Sequence, residues 1–345
     1  MRAIPIAGAA ITAALVVALA GWYFTSGGKS SLEQAQVLPP TSQTSVASRL
    51  SAPETTGTIA KPVLARAEHT PPPPAPRVAA PKCPSGTLGV SRTVEIDTTA
   101  GPGFGFQHFK TYDFLEPGEV VLTFDDGPWP TNTPAVLAAL AAQCVKATFF
   151  IIGKHAIWHP EILKQVAAQG HTIGTHTWSH VDLTKKTVPE RTEEIEKGVS
   201  AINLLVGGKS APFFRFPTLR HPPETVEYLG QRNIASFSTD IDSLDFKIRK
   251  PDAIVAGLIA NLKKRGKGIL LMHDFQRATA IALPQLLEQL RTNGYRVVHL
   301  QPKELVQTLP DYDALAAKEL KGPGGPVADA RATSNIVRTI TGPAD

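Results

Sequence analysis

Cysteine is nearly absent from this chain of 345 residues: there are two. That excludes a disulfide-rich scaffold and any zinc site built from several thiolates. A strong charge of one sign is missing as well. The formal net charge is +5, but residues 1–80 hold 6 Lys+Arg against 3 Asp+Glu, and the remaining 265 hold 29 against 27. The body is therefore close to neutral and has no basic footprint for nucleic acid. Aromatic residues fail over a long stretch. After Trp22-Tyr23-Phe24 the next is Phe104, which leaves 79 residues that cannot easily build a core. No G-x-S-x-G occurs, which disfavours a serine esterase. The rest of the composition, 42% hydrophobic and 19% charged, suits a globular protein. It excludes collagen, a coiled coil and a polytopic membrane protein.

What is present divides the chain into head, stalk, body and tail. From Ala3 to Phe24 no residue is charged, and Arg2 precedes the run. A helix of about 20 such residues crosses the hydrocarbon layer, with the aromatic cluster at the far interface. Ala18-Leu19-Ala20 equally fits the cleavage site of a secretory signal. Residues 1–25 thus read as a signal-anchor or a signal peptide. Both readings place the body outside the cytoplasm, in the periplasm or cell envelope, and the anchor would hold it to the membrane. Residues 37–84 contain 11 Pro, including Pro71-Pro72-Pro73-Pro74, so 26–86 reads as a disordered linker with polyproline II stretches. Residues 87–115 form an N-terminal extension of the body. They are glycine-rich around Gly101-Pro102-Gly103-Phe104-Gly105, but Phe106 breaks any G-x-G-x-x-G. The body proper is 116–310. Periodicity is lost after about 311, and Gly322-Pro323-Gly324-Gly325-Pro326 marks 311–345 as a disordered tail.

Within the body, strand and helix signals alternate. Val120–Phe124 is an apolar, β-branched strand, and Asn132 or Thr133 caps a helix running to Ala142. Further strands are expected at 147–152, 171–174, 213–216, 234–238, 268–272 and 295–299. Helices are expected at 160–169, 189–206, 223–232, 252–265 and 281–293. Seven strands, most followed by a helix, argue for a parallel α/β fold. A closed or nearly closed barrel fits the length, and pattern alone leaves a doubly wound open sheet as the alternative.

The polar residues fall just past the C-terminal ends of these strands, the rim on which parallel barrels build active sites. Strand one runs into Asp125-Asp126-Gly127-Pro128 and strand three into His176-Thr177-Trp178-Ser179-His180. Strand four ends in Arg215-Phe216-Pro217-Thr218, strand five leads to Asp240–Phe246, and strand six ends in Met272-His273-Asp274. Two His at i and i+4 on one face of a helical turn can share a metal. The intervening Thr-Trp-Ser lacks the Glu of an H-E-x-x-H site, so a base must come from elsewhere. Asp125-Asp126 supplies one carboxylate for the metal and a neighbour for a water, and a cation offsets the repulsion between them. Arg215, after an apolar strand, needs an anion, and the Asp that does not ligate is the candidate. His273 suits a general acid, with Asp245 to orient it.

Thr123-Phe124-Asp125-Asp126-Gly127-Pro128, His176-x-x-x-His180, Arg215-x-Pro217, Asp242-Ser243-Leu244-Asp245-Phe246 and Leu271-Met272-His273 occur in the order that resembles the polysaccharide deacetylases. These are the NodB-homology carbohydrate esterases of family 4. The resemblance spans roughly 115–305. It implies a distorted (β/α)7-type barrel and a divalent metal, usually Zn2+. It also implies removal of acetyl groups from an acetylated amino-sugar polysaccharide or oligosaccharide, chitooligosaccharide or peptidoglycan. By the same resemblance Asp125 is the base, Asp126, His176 and His180 are the metal ligands, and Arg215 orients the base. His273 is the acid, supported by Asp245. The backbone N–H of Thr218 stabilises the oxyanion, and Phe246 and Leu271 touch substrate. Two positions depart from the family pattern, Thr218 for a usual Tyr and Phe246 for a usual Trp, and both bear on sugar packing. A monomer is expected. Cys83 and Cys144 either bridge the extension to the body or stay as two thiols. The alternatives are a deacetylase of O-acetylated or other exopolysaccharide, a glycosyltransferase using Asp240-Ile241-Asp242, and a non-catalytic carbohydrate-binding protein.

Overall fold

Residues 83–322 are described by the computed structural model. The expected head 1–25, the linker up to residue 82 and the tail from 323 onward lie outside the described residues. Among the described residues no helix is long and apolar enough to cross a membrane.

Strand and helix alternate as the pattern implies. The strands are β1 (Arg92–Ile96), β2 (Gly103–Phe104), β3 (Glu119–Asp125), β4 (Thr148–Ile151), β5 (Thr172–Thr175), β6 (Phe213–Phe214), β7 (Ala235–Phe237), β8 (Ile241–Asp242), β9 (Gly268–His273) and β10 (Arg296–Pro302). The helices are α1 (Asn132–Ala142), α2 (Gly153–Trp158), α3 (Pro160–Ala168), α4 (Val188–Leu205), α5 (Pro223–Gln231), α6 (Pro251–Arg265), α7 (Arg277–Thr292) and α8 (Pro310–Lys321). The strand pairings are parallel. Helical crossovers cover such sheets on their faces, which is why all seven residues of β3 are buried.

The pairings follow β9–β3–β4–β5–β6–β7. The chain then continues from β7 into β8, which pairs with β9 at Ile241↔Leu270 and Asp242↔Leu271. The chain, and not a pairing between β7 and β8, thereby leads back to β9. The register sets Asp125 opposite both His273 and Phe150. Because strand side chains alternate, Val120, Leu122 and Phe124 join the core under the helices with Leu270 and Met272. Val121 and Ile269 turn the other way, into a second core with Phe150, Phe213 and Phe237. Asp125 and His273 continue that second face at the strand ends.

Three local expectations are corrected. Asn132 and Thr133 do not cap α1: Thr131 holds the cap position, and no side-chain cap bond forms. Asn132 donates instead to the Phe275 carbonyl, and Thr133 donates to Asp274. Residues 310–321, placed at the edge of a disordered tail, form α8. Its Ala316 is buried with Ile157, Trp178 and Ala201, and Lys197 meets Glu319 at 2.7 Å. An Ala316/Leu320 spacing of four is helical, but it is too short a pattern to stand out in sequence. Finally, His176 and His180 lie on a loop after β5, with Thr177 and His180 at φ 64° and 57°, and not on a helical turn. The open question about the cysteines is answered. Cys83 and Cys144, 61 positions apart, form a disulfide with Cα atoms 5.9 Å apart.

Candidate active site

Asp125 ends β3 and is 2% exposed. Its partner is Arg215, which has left β6 and is fully buried. The guanidinium donates from Nη1 to Asp125 Oδ1 and to Thr123 Oγ1, both at 2.7 Å, and from Nη2 to the Ser238 carbonyl at 2.9 Å. Its plane lies 4.2 Å over the Phe150 ring. Burial pulls the Arg215 guanidinium below its ordinary value, opposed by the charge and hydrogen bond of Asp125. A buried pair of this quality needs its remaining donors satisfied, and the carbonyls of β7 and its continuation do that.

The backbone of the same arginine serves a second residue. His176 Nδ1 donates to the Arg215 carbonyl at 2.6 Å, which leaves Nε2 without a proton and turned toward Asp126. His176 Nε2 and His180 Nε2 lie 3.5 and 3.3 Å from Asp126 Oδ1. Neither distance is a hydrogen bond in geometry, and Asp126 Oδ1 is buried without a hydrogen-bond partner. Burial is the main cause that lifts the Asp126 carboxyl to about 7 and presses His176 down to about 3. It lowers His180 as well. One carboxylate and two neutral imidazoles, with donor atoms within 4.8 Å of one another, match the donor set of a catalytic divalent-metal site. The orphaned carboxylate oxygen is the atom such an ion would satisfy.

Beside this cluster, at the end of β9, His273 Nδ1 donates to Asp245 Oδ1 at 2.6 Å. Asp245 is fully buried. Its Oδ2 accepts from the His273 backbone N–H at 2.8 Å and from Thr279 Oγ1 at 2.5 Å. Burial alone would lower His273, but the hydrogen bond and charge of Asp245, with Asp125 and Asp126 nearby, lift it to about 9. Burial would likewise raise Asp245, and the bonds from His273 and Thr279 outweigh it and hold the carboxyl low.

Asp125, Asp126, His176, His180 and His273 line a cavity of about 300 Å³ together with Thr218, Phe246 and Leu271. Thr218 sits at φ 56° in the turn Pro217–Leu219. Phe246 is 41% exposed, with its ring edge-on to His273 at 5.9 Å. A larger cleft of about 600 Å³ lies between β1 and residues 111–114, so the donor chemistry and not the size singles out the smaller one. Asp240, in the D-x-D, has its carboxylate occupied by the N–H groups of Phe106 and Ile269 and by Arg265. That leaves it unsuited to hold a metal–nucleotide.

The sequence reading assigned no role to five contributors. His155 Nδ1 donates to the Asp126 carbonyl at 2.6 Å. Thr123 and Ser238 hold Arg215, and Thr279 holds Asp245. Asp274 is fully buried below the Asp125-Asp126 loop, where burial lifts it to about 7. An added Cβ on Gly127 would collide with its carboxylate. Only Asp274 carried a signal, as a charge next to His273 at the end of an apolar strand.

Residues 115–236 match the polysaccharide deacetylase family model. The chain is 33% identical over 204 residues to the peptidoglycan-N-acetylglucosamine deacetylase of Bacillus cereus, covering 57% of this chain and 73% of that protein. It is 33% identical over 185 residues to the peptidoglycan-N-acetylglucosamine deacetylase PgdA of Listeria monocytogenes, covering 52% of this chain but only 37% of that longer protein. The solved structure of Bdellovibrio bacteriovorus peptidoglycan deacetylase Bd3279 superposes with a TM-score of 0.58 at 33% identity, over 64% of this chain and 61% of that one. Other matching proteins are named chitooligosaccharide and chitin deacetylases. The chain belongs to the polysaccharide deacetylase family.

Proposed function

We propose that this protein is a divalent-metal-dependent hydrolase, with Zn2+ the favoured ion. It removes N-acetyl groups from an N-acetylglucosamine-containing polysaccharide or oligosaccharide, peptidoglycan or chitooligosaccharide, and releases acetate. The run of parallel pairings supports reading its frame as a distorted (β/α)7-type barrel. One observation carries the reading: the orphaned, buried Asp126 oxygen faces two imidazoles, beside an Asp125–Arg215 pair and an Asp245–His273 pair. Asp126, His176 and His180 would hold the ion, which supplies Lewis acidity and concentrated positive charge.

The other steps belong to side chains. Arg215 pins one oxygen of Asp125, so the second is aimed by geometry at a water in the cavity. Asp125 takes that water's proton as the oxygen attacks the acetyl carbon. The Thr218 backbone N–H is the donor assigned to the developing oxyanion. His273, held protonated by Asp245, delivers a proton to the departing nitrogen. Acetate and a free amine leave, and both catalytic groups return to their starting state by exchange with water. Leu271 and Phe246 bound the space for the sugar. The described chain supplies every one of these groups, which supports action as a monomer. The Cys83–Cys144 disulfide supports residence in an oxidising compartment, in accord with a membrane-anchored or secreted protein.

Acetate release from acetylated chitooligosaccharides and from peptidoglycan, with and without chelator, tests this reading. Activity should vanish with the metal and return on adding Zn2+. Undiminished turnover by fully metal-stripped protein would overturn it. Asp125→Asn should abolish turnover while metal binding persists, whereas His176→Ala should lose both.

A further inference from the structure

The glycine-rich run of the extension has no part in the chemistry above, and it lies before residue 115, where the family match begins. The structure shows what it does. β2 pairs in parallel with β7, Gly103↔Ser236 and Phe104↔Phe237. The chain then climbs past the C-terminal end of that strand, with Ser238 N–H donating to the Phe104 carbonyl at 2.7 Å and Gln107 N–H to the Thr239 carbonyl at 3.0 Å. Two glycines permit this route. Gly105 has φ 95°, and a Cβ there would stand 2.7 Å from Thr239 N. A Cβ on Gly103 would collide with the Phe109 ring, which lies over it. The run therefore delivers His108 and Phe109 to the catalytic rim.

There the two rings meet His221, whose centroid is 4.8 Å from His108 and 5.1 Å from Phe109. His221 in turn stands edge-on to Phe216 at 5.9 Å, and Phe216 and Thr218 are cavity wall. His108 Nδ1 is fixed at 2.7 Å from Ser238 Oγ, and the Ser238 carbonyl holds Arg215. His108 is exposed, while Phe109 and His221 are half-buried. The row of rings thus runs outward from the position where Thr218 stands without an aromatic side chain.

We propose that His108, Phe109 and His221 form a binding subsite for a sugar unit next to the one in the cavity. This inference rests on the deacetylase reading and deepens it. A cavity of about 300 Å³ is at the small end of ligand pockets, so a polymer has to continue over the rim, and the row of rings lies on one continuation. The rings offer apolar faces to the carbon side of a pyranose, and the imidazoles offer polar edges to its hydroxyls. The occupant is a neutral or acetylated hexosamine chain.

The test uses the full, metal-loaded chain and compares N-acetylglucosamine itself, one unit that fills only the cavity, with its hexasaccharide. Phe109→Ala and His221→Ala should each lower kcat/KM on the hexasaccharide about ten-fold more than on the single sugar, the scale of one stacking contact. The effect should fall mainly on KM, and His221→Phe should restore it. Equal losses on both substrates, or none, would overturn the subsite. A wild-type chain that releases acetate from neither these sugars nor peptidoglycan would instead refute the deacetylase reading itself, so the two failures are separable.

Discussion

His273 draws its chemistry from Asp245, a residue that never touches the cavity. Two oxygens of one buried carboxylate bind the ring Nδ1, the backbone N–H and Thr279, and this lifts the imidazole to about 9. The role proposed for His273 as general acid requires it to carry its proton, so the alkaline limit of activity should lie near that value. Asp245→Asn removes the charge and lets burial dominate, which drives the His273 pKa down. The alkaline limb of a kcat–pH profile should therefore move to lower pH, and turnover at pH 7 should fall by about 10²–10⁴, the usual worth of an acid–base group. An unmoved limb would show that another group supplies the proton. At this scale the sequence was informative, because every residue assigned to the chemistry lines the cavity or contacts one that does. Thr123 and Ser238 escaped because a hydroxyl or a carbonyl toward a strand end has no distinctive spacing, and Thr279 because a threonine in the first turn of α7 has none either. Their roles exist only once strands far apart in sequence are set side by side.

The β3–α1 loop is the element on which the carboxylate pair depends. Gly127 leaves room for Asp274 beneath it, and Asp274 accepts from Thr133 in α1 at 2.5 Å. Gly127→Ala should cost about 1–3 kcal/mol of stability through overpacking and weaken metal binding by moving Asp126. Asp274→Ala in the same chain should recover part of both, because neighbours that share a cavity are not additive. Urea melts and metal titration of the single and double variants check this, and strict additivity would disprove the contact. Helices with clear periodicity were readable, α4 with its Thr187/Glu190 capping box almost to the residue, although α7 begins at Arg277 and not at the expected 281. β2, β6 and β8 have two residues each. β6 falls within the strand expected at 213–216, whereas β2 and β8 are strands only because a neighbour pairs with them, so no local pattern defines those two. The His176–His180 loop misled for the opposite reason: a spacing of four has a helical explanation, yet positive φ at Thr177 and His180 brings the rings to 4.9 Å by another path.

At the scale of the whole molecule, stability should depend on acid and on the disulfide. His171 and His299 are buried away from the cavity, and burial is the main cause that lowers them to about 3 and about 4. Unfolding returns both toward their ordinary value near 6.5, so the unfolded chain takes up protons that the native one refuses. Stability should therefore fall as pH drops below about 6.5, by up to about 1.4 kcal/mol per pH unit for each histidine. His171→Phe should flatten that slope in denaturant melts between pH 7 and 5. Reducing the Cys83–Cys144 bond frees a loop spanning 61 positions, which chain entropy values at about 4 kcal/mol. Melting with and without reductant should show the loss, with metal binding retained at low temperature. The parallel α/β class could be read from the alternation of strand and helix signals. The return of β8 onto β9 could not, since the pairing of a two-residue strand has no local signal.

Arg215 gives its carbonyl to His176 and its guanidinium to Asp125. The two halves of the site therefore share one mounting point but not one fastening. A side-chain substitution at 215 releases Asp125, the proposed base, and leaves the imidazole's anchor in the backbone, so activity should be lost while ion affinity survives. A slide of β6 itself would misplace both together. Errors in that strand are common-mode, and tolerance to mutation should be lowest not at the charged residue's tip but in the short Phe213–Phe214 segment that sets its height.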